Sequence, residues 1–414
     1  MNTAYWRYAS FALLGIALVA CEHSEPDQPS PPNLPAKAPV ESAPSGSLVP
    51  STPVSPSAFR AALLAPATGR HAELGTALLN AAQLALYDAA GKNFVLMPMD
   101  TSGTPAGVME AARQSIERGA SMLLGPVFGS NVRIVAEATR ARALPVFAFS
   151  NDRAALGPGV WLFGPQPEDE VERLIGHAAA EGHKRLGLLA YDTALGRYAI
   201  RTAERVARAH DATITRSGFL SLGLDARALS EQVRTFAGAP ARPTPETDER
   251  PRRFDAVLIA TEGAALRSTA ALLAFHGINP KRTRYLIAGV HPDHLPLDEP
   301  SLVGAWYASP PPETFKLFSR RYQAAYGTAP PRLAGLAYDA TAIAAMLAEA
   351  RPAGGLDIAT LTAPDGFFGA GGFFRFHPDG AVQRALAIFE LTPEGPRIAD
   401  PAPQRFDPEG KPVG

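Results

Sequence analysis

The chain has 414 residues with 39 basic and 40 acidic side chains, so it carries no electrostatic footprint for nucleic acid. Hydrophobic residues make up 46% and recur in Ala/Leu/Val patterns, enough for a large α/β core spread over two domains. Cys21 is the sole cysteine, which excludes an intrachain disulfide and any metal site built from cysteines.

Arg7 precedes the apolar run Phe11–Ala20, which is too short to span a membrane and suits the core of an export signal. The run ends in Leu18-Val19-Ala20-Cys21, which resembles the bacterial lipobox. That resemblance implies a signal peptide over residues 1–20, cleavage before Cys21 and lipid on that residue. Glu22 then favours the outer membrane, by resemblance to enterobacterial sorting. Residues 22–57 are rich in Pro and Ser with almost no large apolar side chains. They are expected to form an extended or disordered tether, because so little surface can be buried against the entropy of ordering. Its reach is roughly 30–35 Å as a coil and about 110 Å as polyproline II.

The folded part is expected over residues 58–400, with 401–414 as a tail. Phe59–Gly69 reads as a buried strand and a Pro/Gly loop, and residues 71–90 place Leu74, Leu78, Ala81, Leu84 and Ala85 on one helical face. Asn93–Asp100 is a second strand. Thr104–Gly119 is a helix with Thr104 as cap, Pro105 in its first turn and Gly119 as its stop. The stretch Met122–Asp152 organises the chain: strand Met122–Leu124, turn Gly125-Pro126, a helix over Asn131–Ala143 and strand Pro145–Phe149. Ser130 or Asn131 is placed to cap that helix. The second strand opens into Ser150, Asn151 and Asp152. Strand and helix alternate without hairpin signals, which predicts a parallel sheet with ligands at the carboxyl ends of its strands.

The alternation breaks at Gly157–Pro167, the expected first crossing between lobes, and a helix with Glu168, Asp169 and Glu170 in its first turn comes next. Strands at 185–192, 214–220, 255–261 and 285–290 rebuild the alternation around a charged, Pro-rich loop at 238–253. Leu302–Pro312 reads as the return crossing, and two helices fill 313–326 and 332–349. The aromatic alternation of Gly366–Leu391, with its Pro-Asp-Gly turn, reads as a β-hairpin. These breaks put lobe one at about 58–164 and 310–365, and lobe two at about 165–309 and 366–400.

Several stretches together resemble a type I periplasmic binding protein of the branched-chain amino-acid receptor class. They are LLAPATG, MLLGPVFGSNV, LPVFAFSND, GHKRLGLLAYDTALGR and GGFFRFHPDG, in that order across residues 59–391. Within that class GPVFGSNV, VFAFSND and FGPQPEDEVERLIGHAAAEGHKRLGLLAYDTALGR are most similar to the penicillin-binding protein activator lipoproteins. The resemblance implies an α/β fold of two parallel-sheet lobes with a three-strand hinge and an interlobe cleft. It also implies a non-enzymatic periplasmic lipoprotein that regulates a peptidoglycan synthase, a bifunctional penicillin-binding protein, by contact. Residues 22–57 are too few for the helical-repeat domain that enterobacterial activators carry. The alternative is the substrate-binding receptor of an ABC-type uptake system for amino acids or other small polar solutes.

The candidate cleft residues sit at strand ends. In lobe one they are Gly129, Ser130 and Asn131, then Ser150, Asn151 and Asp152, the last three otherwise serving to cap the next turn. In lobe two they are Tyr191 and Asp192, Thr261 and Glu262, and His291. Local turn and cap chemistry is the competing reading for each pair, and a surface turn for His291. The amino-acid receptors hold an α-carboxylate with hydroxyls, and here Gly129 and Asp152 stand in those places. A carboxylate at Asp152 repels a ligand carboxylate, so a neutral or cationic polar solute, or no small ligand, suits these residues better. Gly366, Gly369, Gly371 and Gly372 precede an aromatic strand instead of opening a helix, so they are no dinucleotide loop. No Gly-x-Ser-x-Gly occurs, and neither a cofactor nor a metal is expected.

Overall fold

The computed structural model describes residues 58–89, 91, 93–240, 253–261, 263–289, 292–350, 358–406 and 412–413. Cys21, the stretch 22–57 and most of the Pro-rich loop at 238–253 lie outside them.

Strand β1 (Phe59–Ala65) is a run of small and branched apolar residues buried along almost its whole length. A strand covered on both faces has to read this way. It leads through a Pro/Gly loop into α1 (Ala72–Ala89), then β2 (Phe94–Asp100), α2 (Pro105–Glu117), β3 (Met122–Leu124), α3 (Gly129–Thr139), β4 (Val146–Ala148) and β5 (Val160–Leu162). The five strands form one parallel sheet in the order β2-β1-β3-β4-β5. Thr104 caps α2 by accepting from the Gly107 N–H at 3.0 Å, and Pro105 opens the helix.

The chain then crosses to a second lobe: α4 (Pro167–Ala180), β6 (Arg185–Tyr191), α5 (Ala194–Ala209), β7 (Thr213–Leu220), α6 (Ala226–Ala237), β8 (Ala256–Ala260), α7 (Gly263–Phe275), β9 (Arg284–Ala288) and β10 (Trp306–Ser309). It returns at Pro310-Pro311 into α8 (Pro312–Tyr326), α9 (Arg332–Ala350) and the single turn α10 (Ile358–Leu361). By length and apolarity α9 could cross a membrane, but it lies against α1 and the first sheet with Ala334, Ala337, Ala340 and Ala344 buried. Its apolarity serves the core.

Next come β11 (Phe367–Gly369), β12 (Gly372–Phe376) and β13 (Val382–Arg384), a small antiparallel sheet. After the third crossing, β14 (Ala387–Thr392) and β15 (Gly395–Asp400) join the second lobe. That lobe's sheet has the order β15-β14-β10-β9-β8-β6-β7, parallel from β7 to β10 and antiparallel beyond.

Two lobes and three crossings agree with the expected architecture, but the aromatic segment falls in the other lobe. Phe374 and Phe376 are buried in the first lobe's core, with Phe376 stacked on Phe147 at 5.0 Å and Phe374 edge-on to Phe163 at 5.3 Å. The Pro-Asp-Gly turn docks on β5, where Leu162 N–H donates to the Gly380 carbonyl at 3.0 Å and Trp161 Nε1 to that of His377 at 3.2 Å. The edge of a five-stranded sheet is thereby covered. The crossing is at residues 385–386, some twenty residues later than the sequence pattern suggests. The expected hairpin forms across the Pro-Asp-Gly turn between β12 and β13, β11 adds a third strand, and the end of the expected segment, β14, belongs to the other lobe's sheet. The tail is also more than a tail: β16 (Arg405–Phe406) pairs with β17 (Pro412–Val413), and Phe406 stacks on Phe373 at 5.1 Å.

Candidate functional site

In lobe one the carboxyl ends of β3 and β4 bring three of the expected residues together. Phe128 is the N-cap of α3 and makes no side-chain cap bond, so Ser130 and Asn131 do not cap the helix as expected. Both lie inside its first turn, Ser130 exposed and Asn131 buried. Gly129 packs against the β4 loop: a Cβ there would lie 2.7 Å from Asp152 Cβ, 2.9 Å from its Oδ2 and 3.1 Å from Ser150 Oγ. Ser150 is buried, and its Oγ accepts from the Asp152 N–H at 3.1 Å. Asp152 Oδ1 accepts from the Ala154 N–H at 3.1 Å, capping a 3-10 turn at Arg153–Ala155. Asn151 is exposed in the same loop. The Asp152 carboxylate therefore lies beside the amino end of α3, where the helix dipole favours negative charge.

In lobe two Tyr191 is half-buried at the end of β6. Asp192 is exposed and accepts from Arg197 Nε at 2.5 Å, a bond that holds its carboxyl below the usual range. Asp192 is thus tied to the first turn of its own helix, and Thr193 caps that helix through the Gly196 N–H at 3.0 Å. Thr261 is half-buried after β8. Glu262 and His291 lie outside the described residues.

Two ion pairs show which edges of the sheets face each other. Arg153, beyond β4, donates to Glu168 of lobe two at 2.6 Å. Asp293, beyond β9, meets Arg332 of lobe one at 3.4 Å. Loops from the carboxyl ends of both sheets thus reach the opposite lobe, and the space between them is the cleft.

The first turn of α4 lies at this junction, and the sequence presents its three acids only as partners of the helix dipole. Glu168 is shared between Arg153 and Arg205 (3.1 Å). Asp169 accepts from the Arg384 backbone N–H at 2.9 Å, and burial pushes its carboxyl well above the ordinary value. Glu170 accepts from the Gly289 N–H at 2.7 Å at the end of β9. Burial pushes Glu170 up to about 7, against the opposing pull of that bond. Exposed Leu195 approaches the same Gly289. The only local sign is the position of Glu-Asp-Glu directly after the crossing; the partners lie far off in sequence. Among the described residues no three His, Cys, Asp or Glu side chains are grouped to hold a metal ion.

Residues 58–396 match the family model described as periplasmic binding protein. The chain belongs to that family. Among solved structures it is similar to a protein from Rhodospirillum rubrum named for branched-chain amino acid ABC transport (TM-score 0.67, 16% identity, 82% of this chain and 99% of that one). It is also similar to an ABC transporter substrate-binding protein from Desulfitobacterium hafniense in complex with Leu (TM-score 0.58, 16% identity, 82% and 99%). A third is an ABC transporter solute-binding protein from Rhodopseudomonas palustris in complex with 3,4-dihydroxybenzoic acid (TM-score 0.55, 16% identity, 85% and 99%). At these identities the likeness is one of fold. No curated protein matches the chain.

Proposed function

We propose that this member of the periplasmic binding protein family is the non-enzymatic solute-binding receptor of an ABC-type uptake system. We propose further that it is lipid-anchored through Cys21 and that its cleft takes a neutral or cationic polar solute. The receptor function draws its support from the family and from strand-end loops of two sheets meeting across a cleft. The ligand class draws its support from one observation, the Asp152 carboxylate packed on Gly129 at the start of α3. The relatives named above include complexes with Leu and with 3,4-dihydroxybenzoic acid, both of which bear a carboxylate. In this chain a side-chain carboxylate stands at the start of α3 in lobe one. A micromolar receptor gains roughly 8 kcal/mol on binding. Each charge-assisted hydrogen bond lost to a ligand carboxylate removes about 1.5–3 kcal/mol of that, before repulsion is counted.

Titration calorimetry of the full chain tests the ligand class. Leucine and benzoate are expected to give no binding at millimolar concentration, and Asp152→Ser to bind carboxylates more tightly than the wild type. Micromolar binding of leucine by the wild type would overturn the assignment. The resemblance to penicillin-binding protein activators supports a second reading, contact regulation of a peptidoglycan synthase at the outer membrane. Silence towards every solute, together with recovery of a bifunctional penicillin-binding protein on the full chain, would favour that reading.

A further inference from the structure

Of the three acids in the first turn of α4, Glu170 alone has no cation beside it among the described residues. Glu168 lies between Arg153 and Arg205, and Asp169 is held by the Arg384 N–H and attracted by that residue's charge. Glu170 Oε2 accepts from the Gly289 N–H at 2.7 Å, and its Oε1 has no hydrogen-bond partner among the described residues. The side chain is half-buried. Gly289 follows β9 at its carboxyl end, and Leu195 lies in the first turn of α5, after β6. A methyl of Leu195 comes within 3.6 Å of the place a Gly289 side chain would occupy, and Leu195 is exposed. A carboxylate oxygen without a partner and an uncovered isobutyl group thus meet at one glycine. Four residues beyond it Asp293 pairs with Arg332 of lobe one, so this corner of lobe two borders the cleft.

What this corner lacks is a positive charge. Burial disfavours the Glu170 carboxylate, and only the Gly289 N–H opposes it. The other charges of the packed elements are already engaged: Asp192 with Arg197 at the start of α5, Asp293 and His294 beyond β9, and Arg173 with Asp400 further along α4. A cation within about 4–6 Å of a desolvated carboxylate restores its ionised form, whereas an anion is repelled. An ammonium group donating to Oε1 meets that need, and an apolar arm on the same molecule covers Leu195. Asp152, across the cleft, disfavours a carboxylate on that molecule.

We infer that Glu170 is the ammonium-binding acid of the cleft and that the solute is a primary alkylammonium without a carboxylate, its apolar arm seated on Leu195. The inference rests on the receptor reading above and narrows its ligand class. Titration calorimetry of the full chain with 3-methylbutylamine, which is leucine without its carboxylate, tests it. The amine stays protonated from pH 5.5 to 8, so a change in affinity over that range comes from the protein. With Glu170 titrating at about 7, binding should be about thirty-fold weaker at pH 5.5 than at pH 8. At pH 7 it should release about half a proton, read from the dependence of the heat on the buffer. Glu170→Gln should bind about ten- to a hundred-fold more weakly at pH 8 and lose the pH dependence. Leu195→Ser, at an exposed position, should bind about tenfold more weakly and keep it. Parental affinity in Glu170→Gln, or no binding of the amine by the wild type at millimolar concentration, would overturn the inference and leave the receptor reading standing. Micromolar binding of leucine would instead remove the ligand class on which the inference rests, and the inference with it. Should Glu170→Gln fail to fold, the wild type decides: equal affinity at pH 5.5 and pH 8 would overturn the assignment to Glu170.

Discussion

Glu168, Asp169 and Glu170 are consecutive in sequence, yet each answers to a different part of the molecule. Helical geometry turns successive side chains by about 100°, so three neighbours at a junction face three surroundings. Burial raises the carboxyls of both Asp169 and Glu170, and for Glu170 the consequence in pH can be worked out. Its folded-state pKa of about 7 lies above the ordinary value of 4.5 because burial disfavours the carboxylate. A raised pKa means that the native state holds the proton more tightly than the unfolded chain. The stability this group contributes is therefore complete below pH 4.5 and is lost as pH rises through about 7. Glu170→Gln keeps an acceptor for the Gly289 N–H and removes the charge. The variant is expected to match the wild type at pH 4.5 and to exceed it at pH 8 by about 1–3 kcal/mol. Denaturant titrations at the two pH values check this, and a less stable variant at pH 8 would show that the bond to Gly289 outweighs burial. Little of this was legible in sequence. Hydropathy places Glu170 on the first turn of a helix, but Gly289 is 119 residues away and no local pattern points to it.

At the scale of elements, the βα unit is held by how closely each helix approaches the strand before it. On α5, a Cβ at Gly196 would lie 2.1 Å from the Tyr191 carbonyl oxygen at the end of β6, and Gly107 on α2 has the same relation to Thr101 at 2.2 Å. A backbone carbonyl cannot swing aside as a side chain can. Gly196→Ala must therefore push α5 off the sheet and disturb the loop that carries Tyr191 and Thr193. The expected cost is about 1–3 kcal/mol. Gly157 has nothing within 4 Å of its would-be Cβ and serves as control, with Gly157→Ala expected within about 0.5 kcal/mol of wild type. Equal stability of the two variants would refute the close-approach account. Most elements could be read in advance because buried apolar runs, capping residues and glycine stops coincide, as in Thr104-Pro105 through Gly119. The start of α3 could not. Ser130 and Asn131 are good capping residue types, but the helix begins one residue before Ser130, at Gly129, because only glycine fits beside Asp152.

The whole molecule is shaped by how the chain divides between lobes, and here local pattern is least informative. Alternating aromatics declare a strand without saying which sheet it joins. Phe374 and Phe376 enter lobe one because β5 leaves an edge beside Phe147 and Phe163, and that edge exists only once five strands have assembled. Where the molecule resides is a separate matter, and the anchor we propose is Cys21, at the end of the apolar run Phe11–Ala20. A lipoprotein carries two or three acyl chains there, and two chains hold a protein to a bilayer where one is marginal. Cys21→Ser removes the thiol that would receive the lipid and leaves the apolar run intact, so export should continue. The variant is expected to be released with the soluble periplasmic fraction or to accumulate uncleaved, whereas the wild type is expected to sediment with membranes. The lobes themselves should be indifferent to the change, and the variant should melt as the wild type does. A processed Cys21→Ser protein that still sedimented with the membranes would mean that some other part of the chain holds it there.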